Sequence, residues 1–213
     1  MVGRSGCGKS TLLRCIGGLI APTTGSIKIS GQIVTEPHPQ IGYVFQQPVL
    51  LPWRTVEANV SLPFEVKGKP TKEEKNKVKK VLEIVGLSDY EKHRPGELSG
   101  GMQQRVSVSR SLVTEPSILL MDEPFGALDA QTREDMNVEL LRIWEVAKTT
   151  IVFVTHDIGE ALFLSDRVVI MSARPGKIDD IIEVNSPRPR TFDQVENDPE
   201  FWKMRQRIRK ALH

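Results

Sequence analysis

The glycine-rich segment at residues 3–10, GRSGCGKS, constrains the fold of this chain more than any other feature. Its glycines let the backbone turn tightly with several N–H groups pointing inward, and the apolar residues that follow suit a buried helix. Such a loop holds phosphate groups, the Lys9 side chain reaches them as a positive charge, and the Ser10 hydroxyl is a ligand for Mg²⁺. The segment therefore predicts a nucleoside-triphosphate site. The residues predicted to bind the nucleotide here are Gly3, Arg4, Ser5, Gly6, Cys7, Gly8, Lys9, Ser10 and Thr11.

Several short apolar runs have the pattern of strands that are buried on both faces of a mainly parallel sheet. Residues 25–30 instead alternate polar and apolar side chains, like a half-exposed edge strand. Residues 60–113 contain no strand-like run, and a capping box at Thr71 and Glu74 predicts a helix that ends at Gly86. The sequence thus predicts an α/β core with an inserted helical subdomain. The predicted buried strands are 42–46, 118–121, 151–155 and 167–171.

Length and composition limit the domain count and the partners. A chain of 213 residues with 39% hydrophobic content suits a single domain that has a smaller lobe inserted in its core. The 29 Lys and Arg against 27 Asp and Glu leave a net charge of +2, which is too balanced to favour binding to nucleic acid. Cys7 and Cys15 form neither a disulfide framework nor a metal motif, which fits a reducing cytoplasm. No apolar run approaches the roughly 20 residues that span a bilayer, so a membrane role requires a partner.

The predicted division of the domain places the α/β core at residues 1–59 and 114–175 and the helical subdomain at 60–113. Residues 176–213 form a C-terminal extension that is rich in Pro and Arg and ends in a helix. The apolar side chains of that helix predict docking on its own domain, and a helix lying on a membrane surface is the alternative. The apolar face consists of Phe201, Met204, Ile208 and Leu212.

Two carboxylates, Asp122 and Glu123, follow directly on the predicted strand at 118–121. Charges at the end of a buried strand are costly unless they meet a cation or water. A Mg²⁺ ion held by Ser10 explains Asp122 as a second metal ligand. Glu123 points elsewhere and is placed to polarise an attacking water, which makes it the predicted catalytic base.

The segment 98–103, LSGGMQ, resembles the signature sequence of ATP-binding-cassette (ABC) proteins, and it stands just before the acidic strand as it does in that family. The order of the motifs between residues 1 and 171 is also similar to the family. This resemblance implies the P-loop NTPase fold and ATP hydrolysis, with ATP and Mg²⁺ as cofactors. The motifs in order are the phosphate loop, Gln46, the signature, Asp122 with Glu123, the segment 127–129, and His156.

The signature offers backbone N–H groups at the start of a helix, which suits a γ-phosphate. In the family this helix faces the phosphate loop of a second cassette, so the resemblance implies a homodimer that closes on two ATP molecules. It also implies that His156 contacts the γ-phosphate and that Gln46 senses Mg²⁺ as a metal ligand. Asp129 resembles the residue that couples the two sites, and capping of the following helix is an equally good local interpretation. The signature residues predicted to contact nucleotide are Ser99, Gly100, Gly101 and Gln103.

An apolar and aromatic loop, QPVLLPW at residues 47–53, follows Gln46. In the family the groove around this loop receives a helix of the transmembrane subunit. Leu51, Pro52 and Trp53 are therefore the predicted contacts with a permease, because exposed aromatic side chains are typical of interface centres. Packing inside the chain is the alternative.

The segment 50–56, LLPWRTV, most resembles importer ATPases of the nitrate, sulfonate and taurine type. This resemblance implies a peripheral protein on the cytoplasmic face of the cell membrane. It also implies that the membrane subunits and a periplasmic or extracellular solute-binding protein select the solute. One alternative is a soluble ABC ATPase that is not linked to transport.

The other alternative is a truncated, catalytically weak subunit. Only Met1 and Val2 precede Gly3, whereas relatives carry upstream strands and an aromatic residue that stacks on adenine. We expect that the given sequence starts downstream of its natural beginning, that the N-terminal strands are missing, and that a version extended by them binds ATP more tightly.

Overall fold

A computed structural model describes residues 1–212 and divides them into two compact units. The phosphate-loop unit comprises residues 1–37 and 152–212, and the signature unit comprises residues 38–151. The boundary between the two units, after residue 151, falls inside strand β6 (Thr150–Val154). Strands and helices are numbered in chain order. Both units mix helices with strands, as the α/β prediction requires.

The phosphate-loop unit is built on a three-stranded sheet in the order β1, β7, β8. Strand β1 runs parallel to β7, and β7 runs antiparallel to β8 with an irregularity at Ile170 and Met171. The paired residues Gly3 and Met171 place the end of β1, where the phosphate loop begins, beside the end of β7. The elements of this unit are β1 (Val2–Gly3), α1 (Lys9–Ile16), β2 (Lys28–Ile29), β3 (Gln32–Ile33), α6 (Ile158–Leu164), β7 (Arg167–Ser172), β8 (Lys177–Glu183), α7 (Phe192–Asn197) and α8 (Pro199–Leu212).

The last helices pack together on this sheet. Helix α8 buries Phe201 and Ile208 in its own unit, so the predicted docking of the C-terminal helix is confirmed. Phe163 of α6 stacks on Phe192 of α7 with ring centroids 4.1 Å apart. Burying these aromatic and branched side chains removes apolar surface from water, which is the main stabilising contribution in this part of the fold.

The signature unit has four α-helices, and its strands β4 (Ile41–Val44) and β5 (Ile118–Asp122) belong to a three-stranded sheet in the order β4, β5, β6. Strand β4 pairs with β5 in a register that sets Ile41 opposite Ile118 and Val44 opposite Met121. Helix α3 begins with the predicted capping box, in which Glu74 N–H donates to the Thr71 hydroxyl and the Glu74 carboxylate accepts from Thr71 N–H. The elements are β4 (Ile41–Val44), α2 (Val56–Glu65), α3 (Lys72–Ile84), α4 (Gly100–Leu112), β5 (Ile118–Asp122) and α5 (Ala130–Ala147).

The structure corrects three details of the predicted strands. Residues 25–30 contain only the two-residue strand β2, which turns into β3 and forms a short antiparallel ribbon. Strand β4 ends at Val44, so Gln46 follows the strand by two residues. Strand β8 and helix α7 lie where only an extension was expected, since the charged sequence KIDDIIE of β8 shows no clear period of two. The predicted domain boundaries at 59, 113 and 175 stay a prediction.

Candidate functional site

The phosphate loop ends in an open helix start. Gly8 precedes α1 with φ 99° and Gly6 has φ 77°, backbone conformations that L side chains rarely adopt. Gly8 is the N-cap residue of α1 and has no side chain that could cap the first N–H groups of the helix. Free N–H groups and the positive end of a helix dipole suit a phosphate anion.

The Lys9 side chain folds back onto the phosphate loop. It is buried, and Nζ donates to the carbonyl oxygen of Gly3 at 2.9 Å and to that of Arg4 at 3.4 Å. The Arg4 carbonyl also accepts from Cys7 N–H at 3.2 Å, which closes a tight turn. The ammonium group is thus held at the residues where the phosphate loop begins.

His156 lies in the same unit as the phosphate loop. It is exposed, directly after Thr155, whose N–H donates to the carbonyl of Met1 at 3.1 Å beside the entrance to the loop. Asp157 N–H donates to the Thr155 hydroxyl at 2.9 Å, and the Asp157 carboxylate accepts from Glu160 N–H at 2.9 Å to cap α6. The backbone on both sides of His156 is therefore fixed by hydrogen bonds.

Gln46 and Glu123 lie close together in the signature unit. Because Val44 pairs with Met121 in parallel strands, the residues that follow them leave the sheet at the same edge. Gly126 marks the contact, since a Cβ atom there would lie 3.6 Å from Gln46 Nε2 and 3.8 Å from Glu123 Cβ. The structure thus brings together the two side chains predicted to act on Mg²⁺ and on the attacking water.

The backbone of Glu123 has an uncommon conformation. Its φ is 45°, in the left-handed region that non-glycine residues seldom occupy, and its carbonyl accepts from Gly126 N–H at 3.1 Å. Residues held in such conformations cost free energy and cluster at functional sites. Asp122 is the last residue of β5, so the strand ends directly before Glu123.

The signature lies at the start of α4. Ser99 is the N-cap of this helix, and its hydroxyl accepts from Met102 N–H at 3.3 Å. Gly101 packs on the start of α5, where a Cβ atom would come within 2.9 Å of Thr132 Cγ2. Gln103 turns back, and its Nε2 donates to the Pro95 carbonyl at 3.0 Å. Ser99 and Gly100 are exposed and are available to a ligand or a second chain.

Asp129 caps the helix that packs on the signature. Its carboxylate accepts from Thr132 N–H at 3.0 Å at the start of α5, so the predicted capping role is confirmed. The backbone and hydroxyl of Thr132 hold the pKa of Asp129 below its usual value. The side chain is exposed. The predicted role of Asp129 in coupling the two sites stays a prediction.

The loop at 47–53 is anchored from two sides and presents its aromatic residue to solvent. Buried Asn59 of α2 accepts from Leu51 N–H at 2.8 Å and donates to the Leu51 carbonyl at 3.1 Å. Arg110 of α4 donates to the carbonyls of Val49 and Pro48 at 2.9 Å each. Trp53 is 69% exposed, so it does not pack inside the chain.

Sequence reasoning missed Asn59 and Arg110. The signal available for Asn59 was a lone polar residue on the apolar face of α2, where a buried amide needs hydrogen-bond partners. Arg110 had no comparable signal, because a single arginine in a helix does not indicate which distant carbonyl groups it contacts.

The predicted magnesium ligands suit the ion chemically. A serine hydroxyl, a carboxylate and a side-chain amide supply the oxygen atoms that Mg²⁺ prefers. Ser10 belongs to the phosphate-loop unit, whereas Asp122 and Gln46 belong to the signature unit.

Comparison with known proteins defines the family. Residues 1–126 match the family model of the ABC transporter. The chain is 52% identical to the aliphatic sulfonates import ATP-binding protein of Bacillus cereus over 90% of this chain and 75% of that protein. It is 45% identical to the nitrate import ATP-binding protein of Synechococcus elongatus over 96% of this chain and 76% of that protein. A dimeric ATP-binding cassette in a post-hydrolysis state, bound to ADP and Pi, superposes with a TM-score of 0.71 at 35% identity over 87% of this chain and 84% of that one.

The chain therefore belongs to the ABC transporter family, and it has the cassette fold of a P-loop NTPase. It is the ATP-binding and ATP-hydrolysing subunit of a transporter, which acts with transmembrane subunits. Within residues 1–212, no helix is both long enough and apolar enough to cross a bilayer.

Proposed function

We propose that the chain powers the import of a small solute such as nitrate, a sulfonate or taurine. The observation that carries this proposal is the high identity, over most of the chain, to ATP-binding proteins named for sulfonate and nitrate import. The similarity covers the motor and not a solute site, because the membrane subunits and a periplasmic or extracellular solute-binding protein select the solute.

In this proposal ATP binds at the phosphate loop, where the N–H groups of residues 6–11 and Lys9 hold the phosphates. Ser10, Gln46 and Asp122 would hold Mg²⁺, which would neutralise charge on the phosphate oxygens. Glu123 accepts a proton from the attacking water, and His156 contacts the γ-phosphate. The nucleotide contacts of this loop are Gly3, Arg4, Ser5, Gly6, Cys7, Gly8, Lys9, Ser10 and Thr11.

The signature completes the site of a second copy of the chain. Exposed Ser99 and Gly100, with Gly101 and Gln103 behind them, supply a helix start to the γ-phosphate held by the partner copy. Asp129 lies beside that helix start and couples the two sites. Two copies then enclose two ATP molecules and separate after hydrolysis, which fits the dimeric state of the similar cassette.

The permease binds at the loop around Leu51, Pro52 and Trp53. A tryptophan that is 69% exposed is unusual on a free surface and typical of an interface centre. The chain accordingly works at the cytoplasmic face of the membrane as a peripheral protein. The anchoring of the loop by Asn59 and Arg110 holds this contact ready for the partner.

The test is growth and uptake in a strain that lacks the gene for this chain. Loss of growth on ethanesulfonate or taurine as the sole sulfur source, restored by the wild-type gene but not by E123Q, supports sulfonate import. The same pattern on nitrate as the sole nitrogen source supports nitrate import. Normal uptake of all three in the deletion strain contradicts the proposal. Stimulation of the ATPase by nucleic acid, without co-purification of a membrane protein, instead favours a soluble ABC ATPase.

A further inference from the structure

A cavity of about 480 Å³ lies in the phosphate-loop unit, beside the first residues of the phosphate loop. Arg4 and Ser5 line it from the loop, and Ser172 and Arg174 line it from the end of β7 and the turn that follows. Leu212, in the last turn of α8, closes another side. The volume of the cavity falls in the range of small-molecule sites, roughly 300 to 1,000 Å³.

Two positive charges line this cavity without being neutralised. Within residues 1–212, neither the Arg4 side chain nor the Arg174 side chain has an ion pair or a hydrogen bond to another group. Among the residues that the structure describes, the one carboxylate in the lining is Asp179, which pairs with Lys177 Nζ at 3.1 Å. The Lys177 ammonium holds the pKa of Asp179 below its usual value, so this carboxylate is already stabilised. The local charge therefore favours an anion.

Apart from Ser5 and Ser172, the remaining residues of the lining are apolar. Met171, Ala173, Ala211 and Leu212 contribute side chains that hold no charge and make no side-chain hydrogen bond. An inorganic ion would leave this surface without a partner, whereas a short hydrocarbon chain would remove it from water. Two exposed guanidinium groups beside an apolar wall suit a ligand with an oxyanion head and a short tail.

We propose that this cavity binds a small organic anion, a sulfonate or carboxylate with a short apolar chain, and that the bound anion weakens ATP binding at the adjacent phosphate loop. Arg4 and Ser5 belong both to this cavity and to the predicted nucleotide contacts, whereas Arg174 and the apolar wall belong to the cavity alone. The proposal does not depend on which solute is transported.

The wall of the cavity is in direct contact with the phosphate loop. At Gly176, in the turn between β7 and β8, a Cβ atom would lie 2.4 Å from the Cys7 carbonyl oxygen, so turn and loop touch through their backbones. At Gly3 a Cβ atom would lie 2.6 Å from the Met171 carbonyl oxygen. An anion held by Arg4 adds negative charge beside the phosphates of ATP, and like charges at this range repel. By linkage, ATP then weakens binding of the anion by the same factor.

The experiment is titration calorimetry on the full chain with butane-1-sulfonate, and in parallel with butanoate, n-butylammonium and n-butanol. We expect saturable binding of one or both anions and none of the cation or the alcohol. Sulfonate and carboxylate arms distinguish the two head groups. Binding of the cation or the alcohol with equal affinity, or no binding by either anion, overturns the proposal.

Two variants locate the site. R174Q should weaken anion binding by roughly tenfold, the usual effect of removing a charge-assisted hydrogen bond. The matched control R209Q makes the same charge change on the exposed face of α8, outside the cavity lining, and should leave binding unchanged. A second variant, A211L, fills the cavity and should also weaken binding. Equal affinities in the wild type and in both R174Q and A211L, with folding confirmed by thermal unfolding, overturn the proposal.

The relation to ATP is tested by measuring the Kd for ATP at rising butane-1-sulfonate concentration and constant ionic strength. The proposed coupling raises the Kd by a few-fold and then reaches a plateau, because both ligands are bound together at saturation. A Kd that rises without limit shows that the anion occupies the nucleotide site itself, which contradicts a separate cavity site. A Kd that does not change contradicts the coupling.

Discussion

Arg110 of the signature helix donates a hydrogen bond of 2.9 Å from Nη1 to the carbonyl oxygen of Val49, in the loop that presents Trp53. Its Nη2 donates a second bond of 2.9 Å to the carbonyl of Pro48. One guanidinium group therefore ties helix α4, which begins at the signature, to the loop of the proposed permease contact. Burial lowers the pKa of Arg110 below its usual value, and the group stays charged at neutral pH.

Replacing this guanidinium should loosen the loop. R110L leaves two carbonyl groups without their donor, and we expect a loss of about 1–3 kcal/mol in the free energy of unfolding. R110K keeps the charge but cannot form the two-pronged contact, so it should restore only part of the loss. Urea unfolding measures both. K80L, an exposed change on α3, is the control, and an R110L curve that coincides with it contradicts the role assigned to Arg110.

Glu123→Gln tests the catalytic base. The amide cannot accept the proton of the attacking water, so ATP turnover should fall by roughly 100-fold or more while ATP binding is kept. We expect the variant to accumulate as an ATP-bound dimer in size-exclusion chromatography. Glu115 provides a matched control, since it too has a positive φ, at 53°, and lies in the same unit. Turnover in E123Q that equals turnover in E115Q excludes Glu123 as the base.

Much of this site could be predicted from the sequence because its chemistry is local. The phosphate loop, the acidic end of β5 and the caps at Ser99 and Asp129 each depend on residues a few positions apart. The anchoring of the 47–53 loop could not be predicted in this way. Arg110 and Val49 are 61 residues apart, and only the packing of α4 brings them together.

The fold was predicted best where strands are buried on both faces. Apolar runs gave β5, β6 and β7 to within one or two residues. Strand β8 was missed because it lies at the edge of its sheet, with charged side chains that alternate irregularly, so it lacks the apolar signal of an interior strand. The shortness of β2 was also missed, since an alternating pattern does not report where hydrogen bonding stops.

Trp53→Ala tests the proposed permease contact. Because the indole is 69% exposed, its removal should leave the thermal midpoint of the chain nearly unchanged. We expect it to abolish co-purification of the membrane subunits, since an aromatic residue at an interface centre is worth about 2 kcal/mol or more. Trp202, which is 57% exposed on α8, is the control for loss of a surface tryptophan. Equal recovery of membrane subunits with both variants contradicts the assignment.

Asp129 makes the stability of the signature unit depend on pH. The N–H and hydroxyl groups of Thr132 lower the pKa of Asp129 in the folded chain, so the ionised carboxylate is favoured by folding. This contribution is fully present above the unfolded pKa of about 3.9, and it is lost as the pH falls through the lower folded pKa. Thermal unfolding of the wild type and D129N between pH 3 and pH 7 measures it. The difference in midpoint should shrink as the pH falls below about 4, and a constant difference contradicts the cap.

Arg190 is a buried residue that belongs to no sequence motif. Among the side chains discussed here, its removal should lower the free energy of unfolding the most. It is 4% exposed, and its guanidinium donates to the carbonyls of Leu162, Phe163 and Ser165 at the end of α6 and to those of Val184 and Ser186 in the following segment. R190M keeps an apolar side chain of similar length but leaves these buried carbonyls without a donor. We expect a loss of about 3 kcal/mol or more in the free energy of unfolding.

The R190M substitution should also lower kcat, because helix α6 connects the Arg190 contacts to His156. This helix ends at the Arg190 contacts and begins at Ile158, two residues after His156. A frayed α6 therefore displaces His156, and kcat should fall more than the affinity for ATP changes. R209M, on the exposed face of α8, is the control for loss of one arginine. An R190M variant whose urea midpoint and kcat both match those of R209M contradicts the structural role of the buried guanidinium.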